Sequence, residues 1–206
     1  MSEKIDEMIR RAYRYFYDDG MVEMAIGLLF TAVGLLLLAS RGAPSASLAD
    51  GLLALGMVAL VVGGTFLMKK IVQEMKEQIT YPRTGYVSYR QGEPSLGRWP
   101  VLVAALAVAL LALLLPEAME RMAVVEGLFL AIILSYLGYR SHVRRFYAVA
   151  AAALLLGALT WWLEAGDVVG SSVVFGGSGV VLFIAGALTF VTYLRQHPRS
   201  NDEDGS

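Results

Sequence analysis

The chain has 206 residues, of which 57% are apolar and 17% are charged. This balance excludes an ordinary soluble domain and is typical of proteins embedded in a membrane. The net charge of -1 says little about partners, and the absence of cysteine excludes disulfides, thiolate metal sites and thiol nucleophiles.

Residues 1–19 predict an amphipathic helix that lies on the membrane surface. Apolar side chains recur at helical spacing from Ile5 to Phe16, and three arginines alternate with three tyrosines. Basic side chains suit anionic headgroups, and tyrosines suit the boundary between headgroups and lipid tails. A short soluble helix with one charged face would explain the same pattern.

Six apolar blocks follow, and each is long enough to cross a hydrocarbon core of about 30 Å. The third opens at Trp99 and carries no charge. The last is preceded by a run rich in Gly and Ser, so we expect its regular helix to begin near Val173. The acidic residues 195–206 predict a disordered tail. The six predicted spans are residues 21–39, 48–68, 99–115, 122–139, 146–163 and 173–194.

Residues 69–98 form the longest polar interval and separate the first two spans from the other four. Helical periodicity continues beyond Lys69, and then Pro82 and Gly85 occupy turn positions between residues that favour strands. We therefore predict a cytoplasmic insert made of a helix and a small β-ribbon. Its mixture of cations and aromatics suits a lipid phosphate or an acidic protein surface, although such residues also serve as topology signals and interfacial anchors. The candidate binding residues are Arg83, Tyr86, Tyr89, Arg90 and Arg98.

The positions of the cations predict the orientation of the chain. Of the 17 Lys and Arg residues, all but Arg41 and Arg121 fall on the side that holds the N-terminus. Because Lys and Arg accumulate on the cytoplasmic side, both termini are predicted to be cytoplasmic, which requires an even number of crossings. The predicted fold is an all-α integral membrane protein of the cell membrane, a six-transmembrane-helix bundle forming a single domain.

Small residues recur at an interval of seven within the predicted spans. Seven residues make about two helical turns, so both members of a pair lie on one helix face and allow another backbone to approach. We expect these pairs to pack helices inside the bundle, and the alternative is a face for self-association. The predicted packing residues are Gly27, Gly34, Gly56, Gly63, Gly179 and Gly186.

Two carboxylates lie inside apolar blocks, where an ionisable group is costly and therefore a functional candidate. Glu23 is close to the cytoplasmic boundary, so an ion pair with Lys69, Lys70 or Arg140 is the expected role. Glu126 lies about 7 Å inside the outer boundary at 1.5 Å per residue. Further acids could gather at an outer mouth and concentrate cations, or could fill the outer loops because cations are excluded there. These are Asp50, Glu117, Glu120, Glu164 and Asp167.

Sequence motifs for catalysis are missing: there is no nucleophile elbow, HExxH, Walker or dinucleotide motif. His142 and His197, at predicted cytoplasmic helix ends, are fewer than the usual ligand count of a metal site. We therefore expect no cofactor, no metal site and no catalytic residue. Basic residues spread along a membrane edge also argue against nucleic acid as a partner.

Three functional hypotheses remain. The first is a non-catalytic accessory or scaffold module whose insert binds anionic lipid headgroups, a protein partner or a second copy of the chain. The alternative is a cation- or proton-coupled transporter or channel that uses Glu126 and the Gly-rich start of the sixth span. A membrane enzyme is the third hypothesis, and it has the least support.

Overall fold

The computed structural model describes residues 17–42, 48–80 and 122–197, and all regular structure within these ranges is helical. This confirms the all-α class. By length and hydropathy, five helices of the described ranges qualify as membrane spans. They are α1 (Met21–Ser40), α2 (Leu48–Met75, continued by a π-helical turn over Lys76–Thr80), α3 (Met122–Ser141), α4 (Arg145–Trp162) and α5 (Asp167–Gln196).

Several predicted elements lie outside the described residues. They are the surface helix up to residue 16, the β-ribbon, the span 99–115 and the tail from residue 198.

Two of the helices are longer than a bilayer core requires. At 1.5 Å per residue, the 28 residues of α2 extend about 42 Å and the 30 residues of α5 about 45 Å. α5 begins at Asp167 rather than near Val173, so the Gly-Ser run is helical. Gly170 faces the Ala123 and Thr160 side chains, and this packing against α3 and α4 accounts for a helix where local propensity is low.

Among the described helices, α1 and α5 make the most extensive contact, and they run antiparallel. A Cβ atom at Gly27 would lie 2.5 Å from the backbone nitrogen of Phe183, and one at Gly34 would lie 2.5 Å from Gly176 Cα. Just before α1, Gly20 has φ +71°, and a Cβ there would collide with the carbonyl oxygen of Gly186. Only glycine allows backbones to approach this closely.

α3 and α4 form a second antiparallel pair, joined by a short turn in which His142 has φ +55°. Both helices also contact α5. Phe146 at the start of α4 is fully buried, packs edge to face against Tyr17 at 5.4 Å, and belongs to a core that includes Val149 and Leu182. α5 is therefore the common partner of α1, α3 and α4.

The helix ends form two opposite ends of the bundle. The near end holds residues 17–20, the π-helical turn, the α3–α4 turn and the last turns of α5. The far end holds the other termini, from the end of α1 to the start of α5. Contacts between Thr80 and Asp19, and between Arg145 and Glu23, establish this arrangement. Among the described elements, α2 contacts only α1 and its own π-helical turn.

Candidate functional site

The near end contains a buried group of charges, here called the near-end ion cluster, formed by Asp19, Glu23, Lys76 and Arg145. Glu23 lies in the first turn of α1, and Asp19 lies two residues before the helix begins, where Gly20 turns the backbone with φ +71°. Both acids are completely buried. Lys76 arrives from the end of α2 and Arg145 from the start of α4, so the cluster joins three helices.

Asp19 is fully engaged by donors. Its Oδ2 lies 3.0 Å from the Lys76 ammonium and accepts a hydrogen bond from the Thr80 hydroxyl at 3.2 Å. Its Oδ1 accepts from the N–H of Met21, the first residue of α1, at 3.2 Å. Lys76 and Thr80 are four residues apart in the π-helical turn, and this places both donors on Asp19. Such turns occur often at functional sites.

Glu23 pairs with Arg145. The Nε and Nη2 atoms of Arg145 both donate to Glu23 Oε1, at 2.9 and 2.5 Å, and Nη2 also donates to the Tyr17 carbonyl oxygen. The second carboxylate oxygen, Oε2, is buried and has no hydrogen-bond partner among the described residues. Because removing one member of a buried pair leaves an uncompensated charge, we expect the loss of any one partner to destabilise the protein.

An ion pair was the expected role of Glu23, but its partner differs from the three cations considered. Lys70 pairs with Glu74 of its own helix at 3.7 Å, and both side chains are exposed. Arg140 donates to the Tyr136 hydroxyl at 3.3 Å. The pair Asp19–Lys76 had no direct signal in the sequence, because 57 residues separate its members.

At the far end, Glu126 of α3 lies against the first turns of α5. Ser171 and Asp167 of α5 both lie close enough to the Glu126 carboxylate to interact with it electrostatically. Glu126 Oε2 is buried without a hydrogen-bond partner among the described residues. The arrangement can hold a proton or a hydrogen-bonded carboxylate away from bulk water.

The other outer acids do not extend this group in the described part of the chain. Glu164 is exposed in the turn after α4. Glu117 and Glu120 lie outside the described residues, and the side chain of Asp50 is not described. Among the described residues, no three His, Asp or Glu side chains are grouped as metal ligands would be.

The Gly-Ser run, residues 170–179, is a continuous part of α5 rather than an unwound segment. Ser172 donates to the carbonyl oxygen of Val169 at 2.8 Å. The Ser178 hydroxyl is buried and has no partner among the described residues. The polar groups of the run therefore face the interior of the bundle, but its backbone carbonyls are engaged as in any helix.

The predicted packing glycines separate into two groups. Gly27, Gly34, Gly179 and Gly186 all lie where α1 meets α5. The nearest neighbour of a Cβ at Gly56 would be the side chain of Leu36, at 3.9 Å, and one at Gly63 would meet no described atom within 4 Å.

A cleft of about 500 Å³ opens beside the near-end ion cluster. Its walls come from the π-helical turn and the last turns of α5, and Thr80 belongs both to the cleft and to the cluster. His197 stacks on the Tyr193 ring with centroids 4.6 Å apart, and its Nδ1 lies 3.2 Å from the Tyr193 carbonyl oxygen. Residues Asp18, Leu188, Thr189, Thr192 and Gln196 complete the lining.

The five candidate residues of the insert lie outside the described residues, whereas its first part, residues 69–80, continues α2 as a helix. No protein family, curated protein or solved structure matches this chain. The functional proposal therefore rests on the chain's own residues.

Proposed function

We propose that this is a six-span protein of the cell membrane with cytoplasmic termini, which acts as a non-catalytic accessory or scaffold module. In this proposal, residues 69–98 form the cytoplasmic insert that binds a protein partner or anionic lipid headgroups through Arg83, Tyr86, Tyr89, Arg90 and Arg98. A second copy of the chain is another candidate partner. Nucleic acid, a cofactor and a metal are not part of the proposal.

The positions of the described helix ends support six crossings. Thr80 lies at the near end and Met122 at the far end, so an odd number of crossings must connect them. The uncharged residues 99–115 are long enough for one crossing. Together with the five described helices, they make six.

The cations support a cytoplasmic near end. The described ranges contain eight Lys and Arg residues, and seven of them belong to the near end, whereas Arg41 belongs to the far end. Cations flanking spans accumulate on the cytoplasmic side.

The observation that carries the binding proposal is the anchoring of the insert at Thr80. This residue is buried, donates to a fully buried Asp19, and immediately precedes the segment that contains Arg83 and Tyr86. The helical first part of the insert, which ends at Thr80, is therefore fixed relative to α1. A binding surface attached to a fixed helix loses less conformational entropy on binding than one attached to a flexible segment, and this favours recognition.

The binding test compares two double variants at the near end. The first combines Arg83→Ala with Tyr86→Ala in the insert. The matched control combines Arg144→Ala with Tyr139→Ala, an exposed cation and an exposed tyrosine outside it. Chemical cross-linking in native membranes measures protein capture, and mass spectrometry in detergent measures retained anionic phospholipid.

We expect the insert variant to lose the captured protein or the retained lipid, and the control variant to keep both. Unchanged capture and lipid retention in the insert variant would remove residues 69–98 as a binding surface. Equal loss in both variants would show that the near-end charge, rather than the insert, attracts the partner.

The second candidate is a proton- or cation-coupled carrier, which the buried Glu126 Oε2 and its neighbour Ser171 favour. The regular helix over residues 170–179 argues against it, because carriers commonly use broken helices to coordinate ions. Vesicles reconstituted with the protein should pass protons or cations and lose this flux in Glu126→Gln, but not in Glu164→Gln. Vesicles that remain tight to protons and to monovalent cations would exclude the carrier.

A further inference from the structure

The side of α2 that α1 does not cover, here called its outward face, exposes large apolar side chains. Leu52, Leu55 and Phe66 are each about 70% exposed. α3, α4 and α5 each contact at least two other helices, and α1 contacts both α2 and α5. α2 has one helix neighbour and is therefore the described helix with the most room for another.

Lipid tails alone could cover such a face, so the exposure does not by itself imply a helix. The connectivity of the chain restricts which helix can lie there. The described part of the chain stops at Thr80, at the near end, and resumes at Met122, at the far end of α3. Within the 41 intervening residues, residues 99–115 have the length and composition of a span and would extend about 26 Å as a helix.

The link that follows this segment is short. Six residues, 116–121, separate it from α3, so seven Cα–Cα steps join residue 115 to Met122 and reach at most about 25 Å when extended. The far-end terminus of residues 99–115 must therefore lie within about two helix diameters of the start of α3. On α2, this limit favours the part of the uncovered surface that is nearest to α3.

We infer that residues 99–115 of this chain pack antiparallel along the outward face of α2. This inference rests on the six-span topology proposed above. The antiparallel direction follows because α2 runs from the far end to the near end, whereas residues 99–115 must run the opposite way. The insert then begins and ends at the near end beside two adjacent helices.

The antiparallel arrangement predicts which positions lie at the same depth. The middle of the apolar part of α2, residues 48–68, falls near Ala59 and should lie beside the middle of the segment, near Ala107. Ala59 is exposed on the outward face, and Gly63 one turn later has open space where a Cβ would be. Close approach at such small residues is sterically allowed.

Because the chain has no cysteine, disulfide cross-linking tests the contact directly. Ala59→Cys is combined with a single cysteine at each position from 104 to 109 in turn, in the full-length protein in membranes. A protease site inserted after Ser95 separates the two halves. The matched control is Leu60→Cys, which is half-buried on the side of α2 that contacts α1.

We expect oxidation to keep the two fragments joined on a non-reducing denaturing gel. The yield should peak at positions three or four residues apart, as a helix face requires, and Leu60→Cys should give little product. A disulfide-linked dimer of Ala59→Cys alone would overturn the inference, because a second copy would then cover α2.

Labelling of single cysteines at Ser95 and Ser47 separates this inference from the topology. If the two positions label from opposite sides and no cross-link forms from Ala59→Cys, lipid covers α2 and the inference fails while the six-span topology stands. If both label from the same side, the topology fails and the inference fails with it.

Discussion

Lys76→Met should destabilise the protein strongly, because it removes the cation that compensates the completely buried Asp19. The Lys76 ammonium lies 3.0 Å from Asp19 Oδ2, and both side chains are at least 95% buried. Methionine preserves much of the side-chain length and helix propensity, so the substitution chiefly removes charge.

The size of the effect follows from the partners that remain. Removing one member of a buried ion pair costs about 3–5 kcal/mol. Asp19 keeps the hydrogen bonds from the Met21 N–H and the Thr80 hydroxyl, so we expect the lower end, about 3 kcal/mol. Lys70→Met is the control, since Lys70 is 76% exposed and pairs with Glu74 at 3.7 Å. It should cost no more than about 0.5 kcal/mol.

The free energy of unfolding is measured by denaturant titration in mixed micelles, with tryptophan fluorescence as the signal. Asp19→Asn combined with Lys76→Met tests the cause, because asparagine carries no charge, its Oδ1 can still accept from the Met21 N–H, and its Nδ2 can donate to the Thr80 hydroxyl oxygen. The double variant should recover about 2 kcal/mol relative to Lys76→Met. Equal losses in Lys76→Met and Lys70→Met, or no recovery in the double variant, would refute the role assigned to the buried charge.

Two pairs of substitutions test the packing by the same titration. Gly27→Ala should lower the free energy of unfolding by about 1–3 kcal/mol, since its Cβ would lie 2.5 Å from the Phe183 nitrogen. Gly176→Ala is the control in the same interface. Its Cβ would have its nearest neighbour 3.7 Å away, so this substitution should be neutral or stabilise by up to about 1 kcal/mol. Leu182→Ala, 1% exposed, should cost about 2–4 kcal/mol, and Leu155→Ala, 70% exposed, less than about 0.5 kcal/mol. Equal effects within either pair would contradict the described packing.

The described helices were largely predictable from the sequence. Blocks beginning at residues 21, 48, 122 and 146 correspond to α1, α2, α3 and α4 within a few residues. The start of α5 was predicted six residues late, because Gly and Ser were given their local propensity. Contacts with Ala123 and Thr160, which lie elsewhere in the chain, favour the helix there.

The candidate sites were only partly predictable. Glu23 and Glu126 stood out as charges within apolar blocks, and the interval of seven identified Gly27 and Gly34. Their partners did not stand out. Arg145 lies 122 residues after Glu23, and it was one of several near-end cations that the sequence made equally available.

The sequence by itself determined that this chain forms long apolar helices and which of their ends carry the cations. A lipid core imposes both, because backbone polar groups must be satisfied within each helix and charges must remain near water. Only the tertiary structure decided that Lys76 meets Asp19, that Arg145 meets Glu23, and that the glycines of α1 meet those of α5. These contacts depend on how complete helices are arranged in space, which local spacing does not specify.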